Sequence, residues 1–299
     1  MDKRCKTCFT NNYDKLLKKN PLSGCEALAF CGFFYRLLDN TENKSSPEIQ
    51  RILQHKLREM NGVVDPYYKE KQQSNRIAFK LYDEWKPKVL ASENPFNLAL
   101  HLAIAGNIMD YGVDHEFDVQ KTIKKSLHTE FAIDHSATLK QRIAKAKSIL
   151  YLGDNAGEIV FDKLFIETIM HPNVIFAVKD APVLNDVTFD DAEDVGMNEV
   201  ADVISNGYDA SSTLLDKCSK EFLDVYHSAD VIISKGQGNL EGLIDEKDPR
   251  IFFLFMVKCE VIAERVGVEK GSLVVFNQVN ELTHVRQESS KTLKSSLIN

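Results

Sequence analysis

Three short polar segments carry residue types that could hold a divalent cation and a phosphate, and each follows an apolar run. The first is Gly153-Asp154-Asn155-Ala156-Gly157-Glu158. Asp154 offers a carboxylate and Asn155 an amide oxygen, hard donors that suit Mg²⁺ or Mn²⁺. Gly153 and Gly157 permit tight backbone geometry, and a helix starting at Ala156 would turn free N–H groups and its positive dipole end toward an anion. The same residues would also make a plain polar turn with a capping side chain. The second segment, 180–188, contains Asn185, Asp186 and Thr188. If neighbouring strands set it beside the first, Asp186 completes an oxygen-rich metal site. Asp190, Asp191, Glu193 and Asp194 read as a solvated acidic helix start rather than as ligands. The third segment is 234–241, where Lys235 brings a positive charge and Gly236 and Gly238 let backbone amides approach an anion.

The elements around these segments follow two grammars. From residue 148 onward, apolar runs at 149–152, 174–178, 203–204, 231–233, 252–257 and 273–276 are separated in several places by helical patterns at 156–170, 213–227 and 260–266. Continuous apolar strands alternating with helices indicate a parallel sheet covered on both faces. Ligands in such sheets bind beyond the carboxyl ends of the strands, where the strand order switches. Residues 1–145 read instead as helices. A largely apolar stretch covers 28–38, Ser46 can cap the next helix with Pro47 at its first position, and Ile77, Leu81 and Trp85 share one face of another. Residues 96–109 are apolar nearly all round, as in a buried helix, and no strand is expected in this half. The division is thus 1–145 helical, 146–278 α/β, and 279–299 a polar, flexible tail.

Composition narrows the classes. With 43% hydrophobic and 27% charged residues the chain reads as an ordinary globular protein. A net charge of −7, with no Lys/Arg-dense face, argues against sequence-independent nucleic-acid binding. The start is charged rather than signal-like, and no apolar run approaches the roughly 20 residues that span a bilayer, so no membrane partner is expected. Six scattered cysteines do not form a secreted disulfide framework, which points to the cytoplasm.

The three segments together resemble the metal-dependent damage-control phosphatases, a family long catalogued as a domain of unknown function. The matching pieces are residues 153–158, Asn185-Asp186-Val187-Thr188 and Lys235-Gly236-Gln237-Gly238-Asn239. Ala105-Gly106-Asn107-Ile108-Met109-Asp110 is similar to the family's Gly-Asn…Asp element. Cys5-Lys6-Thr7-Cys8, with Cys259, resembles the branch found mostly in archaea and bacteria. The resemblance covers roughly residues 1–278. It implies a helical N-terminal part packed on a Rossmann-like α/β/α sandwich with a mainly parallel sheet. It also implies a divalent ion (Mn²⁺, Co²⁺, Ni²⁺ or Mg²⁺) on Asp154, Asn155 and Asp186, with Lys235 on the phosphate. The implied substrates are small phosphorylated metabolites, sugar phosphates or phosphopantetheine-like compounds.

Several roles stay open at this level. Glu158 could orient a water or simply cap the helix. Asn107 and Asp110, three apart on one helix face, could hold substrate or bond between helices. Gly236 and Asn239 are further substrate-binding candidates, and an Asp nucleophile remains an alternative to metal-bound water. Cys5, Cys8 and Cys259 could form a structural metal or redox site, whereas Cys25, Cys31 and Cys218 read as small core residues. The eight histidines form no ligand motif. Competing readings are a carboxyl methyltransferase using S-adenosylmethionine, suggested by the strand and glycine-containing turn at 151–157, and a non-catalytic ligand-binding protein on the same fold. Substrate identity and oligomeric state are not encoded in any recognisable pattern.

Overall fold

The computed structural model describes residues 1–42, 44–107, 123–127 and 129–278. Asp110 and the 279–299 tail lie outside the described residues.

The apolar runs form one seven-stranded sheet: β1 (Ile133–Asp134), β2 (Ile149–Leu152), β3 (Val174–Val178), β4 (Asp202–Ser205), β5 (Val231–Lys235), β6 (Ile251–Met256) and β7 (Leu273–Phe276). Their spatial order is β1-β7-β6-β5-β2-β3-β4. Every pairing is parallel except β6 with β7. From β2 the chain proceeds to β3 and β4 on one side and to β5 and β6 on the other. The switch in strand order therefore falls at β2, between β5 and β3, where such sheets bind ligands.

Strands β2, β3, β6 and β7 are apolar throughout because both faces of the sheet are covered there. On one face Ile149, Tyr151, Phe176, Val178, Ile233 and Leu254 pack with residues of the helices Tyr68–Leu90, Pro95–Ala105 and Glu158–Ile169. On the other, Leu150, Leu152, Ala177, Ile232 and Phe253 pack with the helices Lys220–Ser228, Gly236–Leu243 and Glu260–Val266. This alternation is the period-2 side-chain geometry of a strand. A separate small core of Phe30, Phe34, Leu38, Ile49, Leu53 and Leu57 joins the helices Gly24–Asp39 and Ser46–Asn61.

The structure amends the sequence reading in four places. The first 145 residues do contain a strand: β1, whose two residues are too few to leave a pattern and which is held by parallel pairing to β7. Ser45, not Ser46, caps the helix Ser46–Asn61. Glu48 N donates to Ser45 Oγ and Ser45 N to the Glu48 carboxylate, a reciprocal box that leaves Pro47 at the second helical position. The helix expected over 213–227 begins only at Lys220, where Ser219 Oγ accepts from Phe222 N. The helix after β2 begins at Glu158 rather than Ala156, since Gly157 sits at φ 78.

Candidate functional site

Asp154, Lys179 and Lys235 stand at the ends of three adjacent strands, β2, β3 and β5. The loop after β2 and the loop after β3 are laced together by backbone hydrogen bonds. Val187 N donates to Asp154 O at 2.9 Å, Ala156 N to Asn185 O at 2.9 Å and Lys179 N to Val187 O at 2.9 Å. Asn155 and Asp186 face each other as an isolated antiparallel bridge. The two loops proposed from sequence to meet do meet, and Asp154, Asn155 and Asp186 are all buried there.

Two of the amides expected to face a phosphate are already used. Ala156 N is taken by Asn185, and Gly157 N donates at 2.6 Å to Asn75 Oδ1, a side chain from the helix Tyr68–Leu90. The start of the helix Glu158–Ile169 is thus not an open anion site. In the helix Gly236–Leu243 the N-cap residue, Lys235, makes no side-chain capping bond. Gly236, at φ 77, presses against the Asp154 carboxylate. A Cβ on Gly238 would lie 2.1 Å from Ser211 O, so glycine is required there too.

Asn107 reaches this centre from the end of the apolar helix. Its Nδ2 donates to Asp154 Oδ2 at 3.2 Å and to Glu158 Oε2 at 2.8 Å. Asn155 Nδ2 bonds the same two carboxylates, at 2.6 and 3.2 Å. Glu158 is buried and does not cap its helix; its oxygens accept from Asn107, Asn155 and Lys235.

Lys235 Nζ donates to Ala103 O at 2.8 Å, Glu158 Oε1 at 2.6 Å and Asp162 Oδ1 at 2.5 Å. Tyr151 OH donates to the same Asp162 oxygen at 2.7 Å. Burial works against the Lys235 charge, but the charges of Asp162 and Glu158 outweigh it and hold the pKa above that of an ordinary lysine. Asp162 moves up to about 7, chiefly from burial, with Lys235 opposing and Glu158 reinforcing the shift. One ammonium between two carboxylates leaves one of them under-compensated.

Asn239 is a clamp. Its Oδ1 accepts from Lys179 Nζ and Thr213 Oγ1, both at 2.9 Å, and its Nδ2 donates to Gly153 O and Lys235 O. Lys179 had no signal in the sequence beyond following an apolar run, and Asn75 had none. Asp191 departs from the solvated reading: it is buried, bonds Thr188 N and Oγ1, and pairs with Lys71 at 2.7 Å. Asp190, Glu193 and Asp194 are exposed.

Cys5, Cys8 and Cys259 line one cavity of ≈ 1380 Å³ between the N-terminal helices and the helix start at Gln237 and Gly238, and Gln237 Nε2 lies 3.5 Å from Cys259 Sγ. All six cysteines are free. Cys25 is exposed rather than in a core, because its helix turns Phe30, Phe34 and Leu38 inward instead. Among the described residues, no three His, Cys, Asp or Glu side chains are gathered as a metal site. The amide oxygens therefore matter to any cation here. Asn107 Oδ1 is buried beside Asp154 with no hydrogen-bond partner, and this acceptor, with the carboxylates of Asp154 and Asp186, makes a donor set that fits a hard divalent ion. No helix of the described residues is long and apolar enough to cross a membrane.

Comparison with known proteins agrees with this geometry. The model of the damage-control phosphatase ARMT1-like domain matches residues 1–274. A damage-control phosphatase of Pyrococcus horikoshii is 38% identical over 217 residues, covering 71% of this chain and 75% of that protein. A damage-control phosphatase of Archaeoglobus fulgidus is 32% identical over 244 residues, covering 78% and 84%. The crystal structure of a DUF89 family protein from Pyrococcus horikoshii superposes with a TM-score of 0.83 at 32% identity, over 93% of this chain and 98% of that one. These relatives speak for phosphatase activity on phosphorylated substrates, and against the methyltransferase and non-catalytic readings. The chain belongs to the damage-control phosphatase ARMT1-like domain family and is an enzyme of the phosphatase class.

Proposed function

We propose that this phosphatase hydrolyses phosphate monoesters of small metabolites, sugar phosphates or phosphopantetheine-like compounds, at the joined ends of β2, β3 and β5. The observation that carries the reading is the lacing of Asp154, Asn155 and Asp186 into one buried oxygen-rich centre against the first helical turn at Gly236. Asp154, Asn155 and Asp186 would hold a divalent ion, one of Mn²⁺, Co²⁺, Ni²⁺ or Mg²⁺. Such an ion supplies Lewis-acid charge to a phosphoryl oxygen and lowers the pKa of water.

The chain's own residues do the rest. Amides of the first turn at Gly236, Gln237 and Gly238 face the phosphoryl oxygens, where fixed dipoles stabilise developing charge without reorganising. Asn107 and Glu158 hold the Asp154 carboxylate and the Asn155 amide in place through the hydrogen bonds described above. Asn239 fixes the spacing between the β2, β3 and β5 ends. Burial of these groups excludes bulk water and strengthens each interaction. Cys5, Cys8 and Cys259, which line a cavity with Gln237 and Gly238, would serve as a structural or redox cluster.

The test is hydrolysis of an aryl phosphate, then of a phosphometabolite panel, by chelator-stripped protein with each metal added back. Turnover that appears only with added metal, and favours some metabolites over the aryl ester, supports the reading. Undiminished turnover after stripping would refute the metal-dependent form, and no turnover with any metal or ester would refute the proposal as a whole.

A further inference from the structure

Two buried lysines end strands beside the site, and their surroundings differ in a way that separates their roles. An ammonium has three N–H donors and no acceptor. Lys235 spends all three, on Ala103 O, Glu158 and Asp162, and is fully buried on the face of the sheet that carries the helices Pro95–Ala105 and Glu158–Ile169. A phosphoryl oxygen could take a hydrogen bond from it only after one of those three partners was surrendered. Lys179 is also buried, at 2% exposure, but its ammonium makes one hydrogen bond among the described residues, to Asn239 Oδ1. Its ammonium lies 3.8 Å from Asp186 Oδ2, close enough for attraction and too far for a hydrogen bond.

The position of Lys179 is also fixed at both ends, backbone and ammonium. Its backbone N donates to Val187 O, in the same loop that donates to Asp154 O. Asn239, which holds its Nζ, is itself tied to Gly153 O and Lys235 O, so one side chain links the β2, β3 and β5 ends. A cation held against Asp186 with donor capacity left over is what an anionic substrate group arriving at that centre needs.

We propose that Lys179, not Lys235, is the lysine that meets the substrate phosphoryl group, and that Lys235 is a positioning residue that holds Glu158. This deepens the site reading above and rests on it. Glu158, fixed by Lys235 through Oε1, in turn holds the Asn107 and Asn155 amides through Oε2.

The experiment compares wild type with Lys179→Met, Lys179→Arg and Asp154→Asn in aryl phosphate hydrolysis, competitive inhibition by inorganic phosphate, and the Mn²⁺ concentration for half activation, each alongside a melting curve. Lys179→Met is expected to lower kcat/KM by about 100-fold or more, the loss seen when one preorganised charge-stabilising donor is removed. It should raise the phosphate inhibition constant about tenfold or more, as expected for a lost charge-assisted hydrogen bond. The Mn²⁺ requirement should stay level or tighten, because a competing positive charge beside Asp186 has gone. Lys179→Arg, retaining the charge, should recover part of the phosphate affinity. Equal losses of phosphate and Mn²⁺ affinity would mark Lys179 as merely structural and overturn the proposal. An inactive Asp154→Asn beside an unchanged Lys179→Met would overturn it while leaving the site reading intact. A fully active Asp154→Asn would remove the site reading, and this proposal with it.

Discussion

A Cβ added to Gly236 would lie 1.9 Å from Oδ2 of Asp154, well inside the contact distance of the two atoms. The backbone of one strand end is thus packed directly on the carboxylate of another, and the φ of 77 at Gly236 is one that other residues adopt only with strain. Gly236→Ala is expected to displace Asp154 and lower kcat/KM by about 100-fold or more, with a backbone cost of about 1–2 kcal/mol. Kinetics and a denaturant melt check this; an Ala variant with wild-type turnover would mean that Asp154 does no chemistry at this position.

Lys235 predicts a stability effect. Replacing it with Met leaves Glu158 and Asp162 buried without their cation, and breaking such a pair costs about 3–5 kcal/mol. Urea unfolding should show the loss as a shift in midpoint at constant slope. A shift within a few tenths of 1 kcal/mol, the range of ordinary surface substitutions, would show that the three-way ion cluster contributes little.

Asp162 predicts a pH dependence with a definite sign. Its pKa rises from 3.8 to about 7 in the folded chain, mainly through burial. Between these values the folded chain binds a proton that the unfolded chain has released, so the group's contribution is full below about 4 and is lost as pH climbs to about 7. The stability of wild type relative to Asp162→Asn should therefore fall across that window. A flat difference from pH 4.5 to 7.5 would show that Asp162 does not titrate there.

Asn75, like Asn107, is a direct hold of the helical part on the first loop, through its 2.6 Å bond from Gly157 N. Asn75→Ala leaves that buried N–H without its acceptor, a cost of about 1–3 kcal/mol. Activity should drop with stability, because Gly157 sets the turn that aims Asp154 and Asn155. Unchanged melting and kinetics would show that the contact is dispensable.

The strand ends were legible in sequence for a physical reason. Strands buried on both faces, such as Ile149–Leu152 and Val174–Val178, read as unbroken apolar runs, and the polar residues that follow mark where the sheet stops. The neighbours of each polar residue were not legible, since they depend on which strands lie side by side. The partners of Lys235 are hidden for the same reason, since nothing in 234–241 reveals Asp162, one turn into another helix. Lys179 and Asn75 look unremarkable until Asn239 and Gly157 are placed against them. Asp191 likewise looked like one of four solvated acids until Lys71 came from 120 residues away to neutralise it. Strand β1 escaped for another reason: two residues carry no periodicity, and only β7 makes them a strand.

The measurement that bears most directly on the account is a double-mutant comparison of phosphate ester hydrolysis for Asp154→Asn, Asp186→Asn and the variant carrying both, with melting curves for each. Residues that act as one unit are non-additive, so removing either should cost nearly as much as removing both. The account predicts losses of at least about 100-fold in each single variant, no further loss in the double, and retained folding. Independent losses that multiply, or a folded single variant that keeps its activity, would contradict the claim that the loops after β2 and β3 form one phosphatase centre.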